Sequence, residues 1–276
     1  MKLIDYIREK EKEAENKGLE KEAIKKILIM SAYSSLTNLI MNYDNEINSH
    51  YFNIYDSLVK EYLDNGKPVQ YILGYTYFCG LKINVSPACL IPRPETELLV
   101  EIALEKIKEH DLKTVLDIGT GSGAIAIAIK KNSDTFVEAS DISLDAIEIA
   151  KKNAMENGVD INFICSDVFD EINEKYDLIV SNPPYIDPLD IDKINKIVYQ
   201  NEPHLALFGG EKGLYYYKRI IDDIDLYLND GGFLIMEIGD TQAQDIKDYL
   251  RKNKENYKID VYKDYNGFDR IVVIGK

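Results

Sequence analysis

The second half of the chain alternates between short apolar runs and helical patterns, and this alternation limits the possible folds. From Thr114 onward, strands are predicted at 114–118, 135–141, 161–166, 176–181, 232–238, 258–264 and 269–275. Helices are predicted between them at 122–131, 143–156, 214–228 and 241–254. Such alternation predicts an α/β fold with a largely parallel sheet covered on both faces. The last two strands are separated only by a short turn around Gly267, so we predict that they pair antiparallel.

The N-terminal quarter of the chain has a different pattern. Residues 1–72 carry apolar side chains at helical spacing, and Gly18 is expected to end the first helix. Two short apolar runs around Gly80 then predict a β-hairpin. We therefore predict a small all-α domain over residues 1–72, a β-hairpin linker over 73–90 and a larger domain over 91–276.

Polar side chains lie at the ends of four successive predicted strands of the larger domain. They are Asp117, Asp141, Asp167 and Asn182. In open α/β sheets, ligands bind in the crevice outside the carboxyl ends of the strands. The four side chains are therefore expected to lie along one such crevice.

The first of these strands runs into the glycine-rich turn Gly119-Thr-Gly121-Ser-Gly123. Glycines there allow a tight turn and a close approach of the backbone to a ligand. Asp141, twenty residues after Gly121, is placed to accept hydrogen bonds from two ribose hydroxyls. The pattern also fits NAD, but Asp117 suits the ammonium group of S-adenosylmethionine better than it suits a pyrophosphate.

The residues Asn182-Pro183-Pro184-Tyr185 follow an apolar strand and suit the binding of a planar amide or amino group. The Asn182 side-chain oxygen accepts one N–H, and the Pro183 carbonyl can accept a second. The two prolines stiffen the turn, and Tyr185 offers a flat face for stacking. An enzyme that acts on an amide or amino group would use Asn182 to bind it, whereas hydride transfer gives such a clamp no role. A rigid loop without a ligand is the structural alternative.

Motifs along nearly the whole chain resemble those of the bacterial release factor glutamine methyltransferases, the PrmC or HemK family. The more specific runs are Pro68-Val-Gln-Tyr-Ile-Leu-Gly74 and Leu90-Ile-Pro-Arg-Pro-Glu-Thr-Glu97. The glycine-rich turn and Asn182-Pro-Pro-Tyr185 are shared with many amino methyltransferases. Further matching residues are Glu202-Pro203, Ala206-Leu-Phe-Gly-Gly210, Gly213-Leu214 and Asp269-Arg270.

The resemblance implies a Rossmann-like class I methyltransferase sheet and S-adenosylmethionine as cofactor, with S-adenosylhomocysteine as product. It places Asp117, Ile118, Gly119, Thr120 and Gly121 along the methionine part of the cofactor, and Asp167 and Val168 beside adenine. Asn182, Pro183, Pro184 and Tyr185 would bind the substrate, with Asn182, Pro183 and Tyr185 as catalytic residues and Asn182 also beside the cofactor. The implied partner is the Gly-Gly-Gln loop of class I peptide chain release factors, recognised by the helical domain.

Several other residues are open to two interpretations. Thr96 and Glu97 are expected either to close the cofactor pocket or to cap the following helix. Glu237 and Gly239 are expected to be either pocket wall or structural turn. Asp269 and Arg270 are expected to form a structural ion pair.

The net charge of −15 argues against a phosphate-backbone ligand and favours a protein substrate. A ribosomal-protein glutamine methyltransferase, a nucleic-acid adenine or guanine methyltransferase and a cofactor-binding module without turnover remain alternatives. The three cysteines and three histidines show no metal-binding spacing, so we predict free thiols and no metal. The N-terminus becomes charged too early for a signal peptide and no run is long enough to span a membrane, so a cytoplasmic location without membrane contact is expected.

Overall fold

The computed structural model describes residues 1–47 and 49–276, which form two compact units. The first unit contains residues 1–75 and 195–201, and the second contains 76–194 and 202–276. These units do not coincide with the predicted domains, and residues 73–75 of the predicted linker belong to the first unit. Residues 76–90 belong to the second unit, and residues 195–201, predicted within the larger domain, belong to the first.

The first unit is helical, as predicted. Its core contains Leu3, Ile7, Ile24 and Leu28, which are fully buried. Its helices are α1 (Leu3–Asn16), α2 (Glu22–Leu28, continued by a π-helical turn to Tyr33), α3 (Leu36–Met41), α4 (Ser49–Asn65), α5 (Val69–Leu73) and, from later in the chain, α9 (Lys196–Asn201). Within the described residues, no helix has the length and apolar character needed to cross a bilayer.

The predicted hairpin is formed by β1 (Tyr75–Phe78) and β2 (Leu81–Asn84). Its second strand is held by the buried Asn153 of α8 (Leu144–Asn157). The Asn153 side-chain oxygen accepts from the backbone N–H and the side-chain amide of Asn84, at 2.8 and 2.7 Å. The Asn153 amide donates back to the Asn84 carbonyl at 2.9 Å. This anchorage explains why residues 76–90 are part of the second unit and not a separate linker.

The second unit is built on a seven-stranded sheet with helices against it. Its remaining strands are β3 (Thr114–Ile118), β4 (Phe136–Asp141), β5 (Asn162–Cys165), β6 (Tyr176–Ser181), β7 (Leu228–Glu237), β8 (Lys258–Lys263) and β9 (Asp269–Gly275), and its remaining helices are α6 (Glu97–His110), α7 (Ala124–Asn132), α10 (Tyr215–Tyr227) and α11 (Ala243–Asn253). All seven strands and the four helices predicted after Thr114 are confirmed, with ends that differ by four residues at most.

The strand order is β5-β4-β3-β6-β7-β9-β8. The first five strands run parallel, and β9 pairs antiparallel with both β7 and β8, which confirms the predicted C-terminal hairpin. From β3 the chain continues outward to β4 and β5, whereas β6 returns to the other side of β3. A ligand crevice is expected where the strand order reverses in this way. The topology therefore places a site beyond the carboxyl ends of β3 and β6.

Two glycines let residues 209–213 lie directly against the turn that follows β6. A Cβ atom on Gly209 would lie 2.2 Å from the Pro184 carbonyl oxygen, and one on Gly213 would lie 1.9 Å from the Tyr185 carbonyl oxygen. Gly213 also has a φ of +67°, which side chains other than hydrogen rarely adopt. Gln242 donates to the same Tyr185 carbonyl at 3.0 Å. The backbone of Pro184 and Tyr185 is thus fixed by close packing.

Replacing Gly213 should therefore destabilise the second unit more than a positive φ alone would. Gly231→Ala is the matched control, since Gly231 has a φ of +78° and open space at its Cβ position. We expect Gly231→Ala to lower the free energy of unfolding by about 1–2 kcal/mol. Gly213→Ala should lower it by about 1–3 kcal/mol more, through overpacking. Urea denaturation of the two variants tests this, and equal losses would contradict the proposed contact with Tyr185.

Candidate active site

A cleft opens beyond the carboxyl ends of β3, β4, β5 and β6, and it holds about 1160 Å³ of atom-free space including its mouth. Most of the predicted site residues lie on its surface, which supports the prediction that the strand ends share one crevice. The predicted residues that line it are Ile118, Gly119, Thr120, Gly121, Asp141, Asp167, Val168, Asn182, Pro183 and Pro184. Two predicted residues, Asp117 and Tyr185, do not line it.

The glycine-rich turn forms one wall of the cleft. Gly119 and Gly121 have φ values of +71° and +54°, and the space at their Cβ positions is open apart from Cys89 at 3.9 Å from that of Gly121. Gly123 differs, because its Cβ would lie 3.0 Å from the Cβ of Ala150 in α8. The first two glycines therefore leave room for a ligand, and the third allows the close packing of two helices.

Asp117 lies beneath this turn and not on the cleft surface. Its side chain is fully buried, and its Oδ2 accepts from the Thr120 hydroxyl at 2.6 Å. Its Oδ1 has no hydrogen-bond partner within the described residues. Burial raises the pKa of Asp117 to about 7, against the hydrogen bond from Thr120, which lowers it. Asp117, which the resemblance assigned to the methionine part of the cofactor, thus lies behind the turn and does not line the cleft.

Asp141 lies on the cleft surface at the end of β4, as predicted. Its Oδ2 accepts from the Gly121 backbone N–H at 2.8 Å, and its Oδ1 accepts from the Ser143 N–H at 2.9 Å. Burial raises the pKa of Asp141, and these backbone hydrogen bonds act in the opposite direction. Each carboxylate oxygen has a second acceptor site, so Asp141 can hold the turn and still accept from two ligand hydroxyls.

Asp167 and Val168 follow β5 and form the far end of the cleft. The Asp167 Oδ1 accepts from the Arg219 guanidinium at 2.7 Å, so the carboxylate is fixed by a residue of α10. Val168 is buried and has a φ of +56°. This conformation is strained for a β-branched residue, and such strain is concentrated at functional sites.

Asn182 and Pro183 lie at the opposite end of the cleft. The Asn182 amide nitrogen donates to the Thr96 hydroxyl at 3.2 Å. Neither the Asn182 Oδ1 nor the Pro183 carbonyl accepts a hydrogen bond within the part of the chain that the structure describes. Two consecutive residues of one wall therefore each carry an unused acceptor, as the predicted amide clamp requires.

Tyr185 is next to the clamp but does not line this cleft. Its ring packs against the core between the sheet and α10, and it borders a second, more open depression with Asp187 and Gln242. Burial raises the pKa of Tyr185 to about 12. The flat face predicted to stack on a ligand therefore does not line this cleft, and Pro184 forms its wall at this point.

The structure separates the two interpretations of Thr96 and Glu97. Thr96 lines the cleft, and its side chain makes no capping bond to α6. Glu97 lies outside the cleft, where it accepts from the backbone N–H of Cys79 at 2.7 Å. Thr96 is therefore a cleft residue, and Glu97 supports the hairpin turn.

The C-terminal residues need one correction. Asp269 and Arg270 do not pair with each other: Arg270 pairs with Asp264 at 3.1 Å, and Asp269 pairs with Lys263 at 2.6 Å. Adjacent residues of a strand point to opposite faces, which is why the predicted pair was wrong. Gly239 donates its N–H to the Gln242 side chain at 2.9 Å and is a structural turn.

Glu237 is buried at the end of β7, close to Asn182. The residue is 1% exposed, and its Oε2 has no hydrogen-bond partner among the described residues. Burial raises the pKa of Glu237 to about 7, while polar contacts from Thr96 and Asn182 and the charge of Arg270 lower it. Glu237 is thus neither cleft wall nor turn, but a buried acceptor behind the clamp.

Sequence reasoning missed several residues that shape the cleft. Arg93 pairs with the buried Glu202, which also accepts from the Ile91 backbone N–H at 3.2 Å. This pair joins the segment before α6 to Pro203, and both segments line the cleft. Tyr216 of α10 lines it as well. The motifs around Arg93 and Glu202 were recognised, but nothing in the sequence indicated that they pair.

The three cysteines, Cys79, Cys89 and Cys165, are free thiols, as predicted. Over residues 1–47 and 49–276, no cluster of three or more histidine, cysteine or carboxylate side chains has the arrangement of a metal site.

The chain is similar to known proteins over most of its length. It is 41% identical to the release factor glutamine methyltransferase of Streptococcus pneumoniae, over 99% of this chain and 98% of that protein. It is also 41% identical to the enzyme of the same name from Bacillus subtilis, over 75% of each. The chain belongs to the release factor glutamine methyltransferase family.

Two further comparisons agree with this assignment. Residues 95–211 match the model of the methyltransferase small domain family. A crystal structure of the ribosomal protein L11 methylase from Lactobacillus delbrueckii superposes with a TM-score of 0.50, at 27% identity over 67% of this chain and 80% of that one. The sheet is therefore the Rossmann-like sheet of class I methyltransferases, and the predicted fold class is confirmed.

The burial of Asp117 should make stability depend on pH. The pKa of Asp117 is about 7 in the folded state and 3.8 in the unfolded chain. Between these two pH values the folded state keeps a proton on Asp117 that the unfolded chain has lost. The free energy of unfolding should therefore fall as the pH rises through this window, by at most about 1.4 kcal/mol per pH unit for one group. Asp117→Asn cannot titrate and should lose that part of the slope. Urea denaturation between pH 5 and 7.5 measures the slopes, and parallel curves for the two proteins would contradict this account.

Proposed function

We propose that this chain transfers a methyl group from S-adenosylmethionine to the side-chain amide nitrogen of the glutamine in the Gly-Gly-Gln loop of class I peptide chain release factors. The observation that carries the proposal is the pair of unused acceptors, Asn182 Oδ1 and the Pro183 carbonyl, at one end of a cleft with a glycine-rich wall. The names of the relatives, which match nearly the whole chain, support the same activity.

The residues of the cleft fit S-adenosylmethionine. Gly119 and Gly121 leave open space where side chains would otherwise project, and Asp141 retains acceptor sites for the ribose hydroxyls. Asp167, held by Arg219, and the strained backbone of Val168 are placed for the adenine. Ile118 and Thr120 would border the methionine part. When bound, this cofactor supplies a methyl group on a positively charged sulfur, which is an excellent leaving group.

Asn182 and Pro183 would hold the glutamine amide by its two N–H groups. The lone pair of an amide nitrogen is delocalised into its carbonyl, so the nitrogen is a poor nucleophile. Two acceptors on its N–H groups favour the positive charge that develops on nitrogen during transfer. They also fix its direction relative to the methyl group, and positioning of this kind contributes up to about 7–11 kcal/mol. Pro183 and Pro184 keep the clamp rigid, and Gly209 and Gly213 brace it from behind.

The charge of the chain favours a protein over a nucleic acid as substrate. A net charge of −15 repels a phosphate backbone, whose binding depends on lysine and arginine contacts. The helical first unit is the candidate for recognition of the release factor, because the proposed cofactor contacts all belong to the second unit. Because peptide chain release factors act in translation, we also propose a cytoplasmic location for the reaction.

A labelling experiment tests the proposed substrate. The protein would be incubated with methyl-labelled S-adenosylmethionine and, separately, a class I release factor, ribosomal proteins, DNA or RNA. We expect label on the release factor, at the glutamine of Gly-Gly-Gln when the tryptic peptides are analysed by mass spectrometry. Label on ribosomal protein or on a nucleic acid instead would replace the proposed substrate by one of the alternatives.

Asp141→Ala should weaken the binding of S-adenosylmethionine. The variant loses the ribose acceptors and the bond to Gly121, and a charged hydrogen-bonding group contributes about 1.5–3 kcal/mol. Isothermal titration calorimetry measures the affinity, with the exposed Asp134→Ala as control. Unchanged affinity of Asp141→Ala would refute the ribose assignment, and tight binding of NAD by the wild type would refute the cofactor.

Asn182→Ala should leave cofactor binding nearly intact and remove most of the methyl transfer. The clamp strengthens as charge develops on the substrate nitrogen, so the loss should appear in kcat. By analogy with the removal of one oxyanion-hole donor, we expect a fall of about a hundred- to a thousandfold.

Asn182→Asp is the sharper variant at this position. It keeps the size and the acceptor oxygens but loses the amide that donates to Thr96 and adds a charge. It should bind the cofactor as the wild type does. It should nevertheless transfer methyl groups much more slowly than the wild type, because the clamp is misplaced. Retention of more than about a tenth of the wild-type kcat by Asn182→Ala would rule out the clamp.

A further inference from the structure

We propose that Thr96 and Glu237 are positioning residues that turn the side-chain oxygen of Asn182 toward the substrate. The inference rests on the proposed function, since it assumes that Asn182 accepts a hydrogen bond from the substrate amide. Both residues would act through Asn182 and not on the reacting atoms.

The sheet brings the three side chains together. In the parallel pairing of β6 with β7, Ser181 lies beside Met236, so the next residues, Asn182 and Glu237, are level on neighbouring strands. Thr96 directly precedes α6, which packs against both of these strands. Thr96 and Glu237 are 4% and 1% exposed, so water does not compete for their hydrogen bonds. The contact with Asn182 joins its Nδ2 to the Thr96 Oγ1 at 3.2 Å.

Asn182 alone does not determine which end of its amide faces the cleft. The oxygen and the nitrogen are nearly the same size, and their hydrogen-bond partners decide the orientation. A threonine hydroxyl can donate or accept, so Thr96 would serve either end of the amide. A third group must fix the direction of the hydroxyl hydrogen.

Glu237 supplies that third group, because its carboxyl is in polar contact with both Thr96 and Asn182. Its carboxyl is buried and contains the unpartnered Oε2, and an unsatisfied buried acceptor is costly. When the Thr96 hydroxyl donates its hydrogen to this carboxyl, its oxygen can only accept. It then accepts from the Asn182 nitrogen, and Oδ1 is left facing the cleft. A protonated Glu237 still offers its carbonyl oxygen, so the order of donors holds in both protonation states.

The opposite orientation would disable the clamp. The Asn182 nitrogen would then point its hydrogens at the N–H groups of the substrate amide, which are also donors. Cofactor binding would be unaffected, because Asp141 and the glycine-rich turn do not depend on the orientation of Asn182. Loss of the correct Asn182 orientation should therefore lower kcat and leave the affinity for the cofactor unchanged.

A pair of substitutions at Thr96 tests the hydroxyl. Thr96→Val keeps the shape and removes the hydroxyl, and Thr96→Ser keeps the hydroxyl. We expect Thr96→Val to lower kcat with release factor by about tenfold or more, the effect of one mispaired buried hydrogen bond. Its affinity for S-adenosylmethionine, measured by calorimetry, should stay within about twofold of wild type, and Thr96→Ser should keep most of the wild-type kcat.

A second pair tests the acceptor. Glu237→Gln retains a carbonyl oxygen that can accept from Thr96, and Glu237→Leu retains none. We expect Glu237→Leu to lower kcat as Thr96→Val does, and Glu237→Gln to keep most of it. Because Glu237 contacts both Thr96 and Asn182, both losses act on the orientation of the one Asn182 amide, and the double variant Thr96→Val/Glu237→Leu should be no slower than the slower single variant by more than about twofold.

The outcomes separate this inference from the proposed function. A wild-type protein that does not methylate the release factor overturns both. An active wild type with an unchanged kcat in Thr96→Val overturns the positioning role alone. Loss of cofactor affinity in Thr96→Val would show a general structural effect and would also overturn it. A loss in the double variant equal to the product of the two single losses would show that the residues act independently, and would overturn it as well.

Discussion

The functional part of this molecule depends on the reversal of strand order between β3 and β6. Two adjacent parallel strands whose connections leave in opposite directions cannot be covered at their carboxyl ends by the same loop. The turn after β3 goes to one side, the turn after β6 goes to the other, and the cleft lies between them. The glycine-rich turn and the proposed amide clamp thereby line one cleft that the topology leaves open.

The cleft is supported by polar groups that are buried at some cost. Asp117 and Glu237 both lie in the interior with one oxygen lacking a hydrogen-bond partner among the described residues, and burial raises the pKa of each to about 7. A purely structural core would be more stable with apolar side chains at these positions. Each lies directly behind a functional wall: Asp117 behind the glycine-rich turn, and Glu237 behind Asn182. These buried polar groups therefore hold the walls in place at a cost in stability.

Much of the fold could be predicted from the sequence, because its signals are local. The parallel strands β3 and β6 are mainly apolar, each with one aspartate, and the sequence predicted their bounds to the residue. Asp141, Asp167 and Asn182 were found because the carboxyl ends of parallel strands share one edge. The family resemblance added the cofactor and the substrate, which these positions alone do not identify.

The remaining features depend on contacts between residues that are far apart in the chain. Arg219 fixes Asp167 from 52 residues away, and Glu202 holds Arg93 from 109 residues away. Gly213 is required by the carbonyl of Tyr185, and no local pattern shows that these two backbones touch. The side on which a side chain lies is also hidden: Asp117 and Tyr185 were found in the right motifs but lie behind the cleft walls. Such features depend on tertiary packing, which the spacing of residues along the chain does not predict.

The most direct measurement of the central claim is a crystal structure of the chain with S-adenosylhomocysteine and a peptide that contains Gly-Gly-Gln. The account predicts that the glutamine side-chain nitrogen lies within about 2.7–3.2 Å of both the Asn182 Oδ1 and the Pro183 carbonyl oxygen. The same structure should show the Asn182 nitrogen on Thr96. A glutamine amide bound elsewhere in the cleft, or held by the carbonyl of Pro183 alone, would contradict the account.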